Sequence, residues 1–250
     1  MARKRLTERQ AFTDCEAWMK AAPTRPVIDR SNLLREAVAL LDEAGLEGLT
    51  MRRLAERLGV QAPSLYNHVR DKDELVDLIA DALSAEIAVP DAGMPWRQAI
   101  EQIAHGFRRV LLAHRDAALV FAMSPPAGPN RMRLIEHVLA TVTEAGFANE
   151  NACKAAYAMH TFVMGFALEE GLGSARDRDG LPAVADRSYM SSLPAERFPT
   201  MCALNSEWRA FDSQKAFDFA LGMLLDGFAV HLARGDKNGA KAKEKVPARV

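Results

Sequence analysis

The stretch TMRRLAERLGVQAPSLYNHV, Thr50 to Val69, decides the fold, because it reads as two short helices joined by a tight turn. Thr50 is a suitable N-cap: its hydroxyl can accept a free amide of the first turn, and the helix formers MRRLAERL follow directly. Leu54 and Leu58 lie one turn apart and face inward, and Ala55 lets a second helix cross closely. Gly59 stops the first helix because it can adopt the positive φ that the turn needs. Val60, Leu65 and Val69 pin the second helix, and Pro63 falls in its first turn, where a missing N–H costs nothing.

The outward residues of that second helix are Ala62, Pro63, Ser64, Tyr66, Asn67 and His68, with Gln61 at its head. They are small or hydrogen-bonding, which suits a surface that enters a DNA major groove. An ordinary helical hairpin inside a core is the competing reading. Against it stand Arg52, Arg53, Arg57, Tyr66, His68 and Lys72, which gather near one edge and can meet phosphates.

Working outward, Ser31 is expected to cap a helix over 31–44 whose buried stripe is Leu34, Ala37, Val38 and Leu41, ended by Gly45. Asp71 caps a further helix, DKDELVDLIADALSAEI, with Leu75, Leu78, Ile79 and Leu83 turned to a core. Residues 29–88 are therefore read as a three-helix helix-turn-helix domain with its connecting helix. VPDAGMP is a linker, and 89–235 is a larger helical domain: Pro95 starts a helix with Trp96, Ile100, Ile103, Phe107 and Val110 along one side, and later helices are expected near 116–122, 131–145, 150–170 and 213–233. No strand pattern competes, so the expected class is all-α. Residues 172–205 have little periodicity and are expected to be a long loop, either a connector or a lid.

The termini differ in character. Residues 1–28 form an extension with six basic residues against three acidic, open to reading as a DNA-contacting arm or as a solvated terminus with a short helix over 7–21. Residues 236–250 are a polar, basic tail expected to be disordered. The whole chain has 32 Lys and Arg against 33 Asp and Glu, a net charge of −1, so DNA affinity must come from local patches and from pairing two of them.

Composition narrows the class further. At 250 residues and 49% hydrophobic content, the chain can bury a sizeable core. Cys15, Cys153 and Cys202 are widely spaced and odd in number, which suggests neither disulfides nor a zinc knuckle and fits a reducing cytoplasm. The basic start lacks a following apolar run, and no stretch approaches the ~18 uninterrupted apolar residues of a membrane span. Neither a signal peptide nor a span is expected.

Two helices carry more apolar surface than one contact needs. The first is 150–170, with Ala152, Ala156, Met159, Val163, Phe166 and Ala167. The second is 213–233, with Phe217, Leu221, Leu224, Leu225, Phe228 and Leu232. A four-helix interface between two copies would bury the excess; a thick monomeric core is the alternative. Function favours the homodimer, since one hairpin reads few base pairs and two must sit about 34 Å apart to enter successive major grooves.

On these residues the chain resembles the TetR family of bacterial repressors, and more closely its tetracycline-repressor branch. The resemblance lies in LTMRRLAERLGVQAPSLYNHVRDKDEL, in WRQAIEQIAHGFRRVLLAHRDAALV, in the EAGF turn at 144–147 and in HTFVMGFALEEG at 160–171. It covers about residues 30–171. It implies that Arg52 and the 62–68 segment read bases while Thr50, Tyr66 and Lys72 hold phosphates. Where the tetracycline repressor has glutamine and tryptophan in its reading helix, this chain has Ala62 and Asn67, so a different operator is expected.

The resemblance also implies an effector pocket in the second domain. At the positions of that branch's metal-binding histidine, asparagine and glutamine, this chain has Phe121, Ile103 and Val138; Phe107, Ser124 and Glu169 match. An octahedral magnesium site built on imidazole is not available from Phe121, so a magnesium–tetracycline ligand is not expected. A small, more apolar effector is, with polar contacts from Ser124, His160 or Glu169 and with Met164 among the adaptable lining residues. His105, His114, His137 and His160 fall into no HxxxH or HxxE pairing, so no metal site and no cofactor is expected.

The function these readings imply is a cytoplasmic, homodimeric, ligand-responsive repressor, released from a palindromic operator when effector binds, with helix 71–88 as the lever. An activator or architectural DNA-binding protein without a ligand is the alternative. An enzyme is not expected: the chain has no Gly-rich phosphate loop, GxSxG, HExxH or CxxC, and Glu169 and Glu170 are adjacent rather than opposed.

Overall fold

A computed structural model describes residues 29–178 and 191–234, with side chains from 172 to 178 excepted. The readings made for residues 1–28 and 236–250 lie outside the described residues. Among the described residues the chain is all-α, without a strand. Its helices are α1 (Arg30–Gly48), α2 (Met51–Arg57), α3 (Ala62–Leu65), α4 (Lys72–Ser84), α5 (Trp96–Ala113), α6 (Ala117–Met123), α7 (Pro129–Glu144), α8 (Asn149–Arg178), α9 (Pro199–Ala203), α10 (Asn205–Arg209) and α11 (Ser213–Ala233).

The helix starts follow from local chemistry. Thr50 Oγ1 accepts from the Arg53 amide at 3.3 Å, so the expected cap is made. Asp71 Oδ1 accepts from the Glu74 amide at 2.8 Å, and Glu74 Oε2 accepts from the Arg70 amide at 2.7 Å, closing a reciprocal cap at the head of α4. At α1 the cap is Asp29 rather than Ser31: the Asp29 carboxylate accepts from the Ser31 amide and hydroxyl. Gly45 breaks the helix as expected, with φ 70° and ψ 179°, and a further short helical stretch carries on past it to Gly48.

Two further expectations change. α3 is one short turn, Ala62–Leu65, followed by turn conformation over 66–68. α8 does not stop at Gly171 but continues to Arg178, and α9 and α10 occupy part of the stretch read as a loop. A glycine within a helix costs only about 1 kcal/mol, which neighbouring helical contacts can outweigh.

One contiguous core runs from the first helices into the larger domain. Leu33, Leu41, Leu54, Leu65, Leu75 and Ile79 seal the three-helix unit around α4, and Ile100, Val110, Val120, Val163 and Phe217 continue it through α5, α6, α8 and α11. α4 touches α1 on one side and α6 and α7 on the other, so it joins the two parts. Ala37 and Leu41 are fully buried as expected, while Leu34 and Val38 are only partly buried and Leu33 and Leu40 complete the stripe of α1 in their place.

Large apolar side chains lie uncovered on the outer faces of α8 and α11. Tyr157 is 73%, Phe219 71% and Met223 60% exposed, with Leu168 and Val230 also uncovered. α11 is long and apolar enough to cross a membrane by length and composition, yet Phe217, Leu221 and Leu225 on its inner face are buried in the core.

Candidate DNA-reading surface and effector region

The turn between α2 and α3 has the conformation its sequence requires: Gly59 has φ 68°, and the Val60 amide donates to the Ala55 carbonyl at 3.0 Å. With Leu65 and Val69 sealed inside, Gln61, Pro63, Ser64, Tyr66, Asn67 and His68 are all exposed along one edge, and Ala62 is half-buried at its root. Thr50, Arg52 and Arg53 are exposed beside them. Arg52 makes only a loose 3.6 Å contact with Glu56, so its guanidinium is available to a polyanion.

Three cations of this edge are otherwise engaged. Arg57, counted with the phosphate-facing group, turns back to Glu36 at 2.7 Å and Glu43 at 2.6 Å, fastening α2 to α1. Those hydrogen bonds, to Glu43 first and then Glu36, raise its pKa above the ordinary value. Lys72 Nζ donates to the Leu46 carbonyl at 2.8 Å, and Arg53 donates to the Gly48 carbonyl at 3.1 Å while remaining exposed.

The larger part gathers most of the residues named for an effector. Phe107 meets Phe121 edge to face at a centroid distance of 5.1 Å and stacks on His160 at 5.6 Å. Ile103 and Ser124 are buried, while Val138 and Met164 are partly buried against the same core. Burial, followed by the charge of Arg131, lowers the His160 pKa, so the ring is neutral near pH 7. Glu169 is not with them: it is exposed, and its neighbour Glu170 turns inward. A surface cleft of about 380 Å³ lies elsewhere, between the linker and α7, lined by residues including Met94, Trp96, His137 and Glu144 and by none of those named.

Several polar groups were not singled out from the sequence. Arg108 grips Glu170 with two hydrogen bonds, Nε to Oε2 at 2.8 Å and Nη2 to Oε1 at 2.6 Å, lies 4.7 Å from the centre of the Phe217 ring and donates to Gln214. Burial raises the Glu170 pKa, but the bonds to Arg108 and Ser213 outweigh it and the net shift is downward. Arg131, in the first turn of α7, is also buried. A signal existed for both: Arg108 continues the stripe Ala104–Leu111 and Arg131 the stripe Leu134–Val138, so each is a charge at an apolar position.

The two parts are bolted together at three points. Asp81 of α4 accepts from the Asn130 amide at 2.9 Å, Asn130 Nδ2 at 3.0 Å and the Arg131 amide at 2.9 Å, capping α7 from outside. Gly128 makes this possible, since with φ 92° a Cβ there would sit 2.4 Å from Asp81 Oδ1. Asp116 Oδ2 accepts the Leu46 amide at 2.8 Å. His114 stands between Asp42 of α1 and Glu86, just past α4.

Among the described residues, no group of three or more His, Cys, Asp or Glu side chains is placed to hold a metal ion.

Similarity to known proteins agrees with this organisation. Residues 33–79 match the model of bacterial regulatory proteins of the tetR family, and residues 89–232 match the tetracyclin repressor-like C-terminal domain. The chain is 37% identical over 207 residues to the class A tetracycline repressor protein from transposon 1721 of Escherichia coli, covering 80% of this chain and 89% of that protein. It is 35% identical over 210 residues to an HTH-type transcriptional regulator of Saccharopolyspora erythraea, covering 82% and 88%. Among solved structures, the Streptomyces coelicolor TetR family protein ActR in complex with actinorhodin superimposes with a TM-score of 0.73 at 33% identity, covering 83% of this chain and 96% of that one. The chain thus belongs to the TetR family of bacterial transcriptional regulators.

Proposed function

We propose that this chain is a homodimeric transcriptional repressor that occupies a palindromic operator in the cytoplasm and leaves it when a small, largely apolar effector binds between α5, α6, α7 and α8. The carrying observation is the exposed edge from Gln61 to His68, hung on a sealed pair of anchors, Leu65 and Val69, with Arg52 and Arg53 beside it. Polar, small and aromatic groups presented on a rigid turn suit base edges, and flanking arginines suit phosphates. On this reading Thr50, Arg52, Arg53, Gln61, Ala62, Pro63, Ser64, Tyr66, Asn67, His68 and Lys72 form the DNA surface.

The effector reading rests on the aromatic cluster of Phe107, Phe121 and His160, with Ile103, Ser124, Val138 and Met164 around it. A site of this composition would favour an aromatic, mainly apolar molecule with few polar anchors. ActR, a family member, is described in complex with actinorhodin and with (S)-DNPA. Glu169, which is exposed, is not part of this cluster.

Coupling follows from the bolts at Asp81, Asp116 and His114. α4 is fixed to α7 by one end and to the reader by its flank, so an effector that shifts α6 or α7 tilts the reader and spoils the spacing of the pair. The effector must bind the two shapes with different affinity for this to release DNA. The reading is tested by a mobility-shift assay on the DNA flanking the protein's own gene. The wild type binds, and the Arg52→Ala, Tyr66→Ala double variant loses about ten-fold or more in affinity; no binding by the wild type, or undiminished binding by the variant, rejects it.

A further inference from the structure

Arg131 is 6% exposed, yet no carboxylate lies within 4.0 Å of its guanidinium among the described residues. Its Nη1 donates to the carbonyls of Ser124 at 3.1 Å and Pro125 at 3.2 Å, its Nη2 donates to the carbonyl of Phe121 at 3.3 Å, and its Nε has no partner. The guanidinium carbon lies 4.9 Å from the centre of the Phe121 ring. Phe121 in turn touches Phe107, and Phe107 stacks on His160, so the cation borders the aromatic cluster itself.

Carbonyl dipoles and a ring face satisfy hydrogen bonds, but they do not cancel a charge. Burying an unpaired cation is costly, and a chain that keeps one has a use for it. The aspartates that act on it, Asp77 and Asp81, are on α4, and Asp81 already holds Asn130 and the Arg131 amide. Burial prevails over both and lowers the guanidinium's pKa, while its charge helps keep His160 neutral. The cluster is therefore electropositive and apolar at once.

Resting on the reading of this cluster as the effector site, we propose that the effector is an aromatic acid, carrying a carboxylate or ionised phenol that pairs with Arg131 while its rings lie against Phe107 and Phe121. A guanidinium edge matches such an oxyanion and gains strength where water is excluded. Because the Arg131 amide donates to Asp81, an anion at this arginine acts directly on the joint between α7 and α4.

The test uses two probes sharing one ring system, 8-anilinonaphthalene-1-sulfonate and the uncharged N-phenyl-1-naphthylamine. Occupancy is read from the NMR signal of the His160 ring, assigned with a His160→Gln variant, so that binding to exposed apolar surface elsewhere is not counted. The sulfonate binds about ten-fold tighter than the neutral probe, a difference of about 1.4 kcal/mol. Arg131→Met removes that preference and leaves the neutral probe's affinity within about two-fold; Arg131→Lys keeps most of it. Equal affinities in the wild type, or a preference that survives Arg131→Met, overturn the proposal. Should Arg131→Met not fold, the wild-type ratio and its value in Arg131→Lys decide. If neither probe moves the His160 signal, the effector-site reading itself fails, and the proposal with it.

Discussion

His114 Nδ1 lies 3.0 Å from Asp42 Oδ2, which ties the end of α5 to the first helix of the reader. The other ring nitrogen is 3.2 Å from Glu86 Oε2. Both contacts can be hydrogen bonds only when both nitrogens carry protons. The neighbouring backbone reinforces the seam: the Arg115 amide donates to Asp42 Oδ1 at 3.1 Å, Arg115 Nη1 to the Glu43 carbonyl at 3.2 Å, and Arg109 to the Glu86 carbonyl at 3.0 Å.

This seam is therefore pH-dependent. Burial disfavours the imidazolium, but hydrogen bonds to Glu86 and Asp42 outweigh it and raise the pKa above 6.5. A raised folded-state pKa contributes stability that is complete below the unfolded value and fades as pH climbs through the folded one. Both carboxylates are partly exposed, so the contribution is at most about 1 kcal/mol. Melting of the wild type against His114→Ala from about pH 5.5 to 8.5 should show a gap of ~2–4 °C at the acid end that narrows at the alkaline end. A gap independent of pH contradicts the assignment.

Removing the α2 cap should be felt in the reader alone. Thr50→Ala leaves the Arg53 amide without its 3.3 Å acceptor and should destabilise by about 1 kcal/mol. Thermal unfolding checks this, and Thr50→Ser should recover most of the loss. An unchanged melting temperature in Thr50→Ala means that the cap contributes nothing.

Arg108 and Glu170 should show strong non-additivity. Their side chains are 9% and 16% exposed, so removing one partner strands a charge and should cost about 3 kcal/mol. Arg108→Met combined with Glu170→Leu should be far less damaging than the sum of the two. Additive losses in a denaturant series contradict a coupled pair.

The joint between Asp81 and α7 is set by Gly128. Gly128→Ala places a methyl group 2.4 Å from Asp81 Oδ1 at a φ of 92°, so the cap must open. We expect a loss of about 2 kcal/mol, from the strain and the unsatisfied Asn130 and Arg131 amides. Asp81→Ala should remove the part of the Gly128→Ala penalty that comes from the clash and the opened cap, leaving about 1 kcal/mol of backbone strain; equal penalties in both backgrounds contradict the contact.

Much of this was legible in the chain. Thr50, Gly59, Asp71 and the spacing of Leu54, Leu65, Leu75 and Ile79 carry the reader, because caps, positive φ and helical periodicity are local properties. Element ends were less legible: α8 runs past Gly171, where helical contacts outweigh a glycine's intrinsic preference, while at Gly45 that preference prevails and breaks the helix. The site was legible by residue type but not by partner. Lys72 and Arg57 turn to α1, and Glu170 rather than Glu169 turns inward. Long side chains choose among several acceptors, and only the folded arrangement decides. Asp81, Asp42 and Arg131 could not be paired from spacing, since their partners come from other helices.

The account's central claim is that two readers held together by α8 and α11 bind one duplex. Sedimentation velocity of the chain with DNA flanking its own gene tests it most directly, comparing the wild type with a Phe219→Glu, Met223→Glu variant on the exposed face of α11. The account predicts a wild-type dimer that binds one duplex per pair of chains, and a folded, monomeric variant whose operator affinity has collapsed. A wild type that stays monomeric, or a monomeric variant that binds the duplex as tightly, contradicts it.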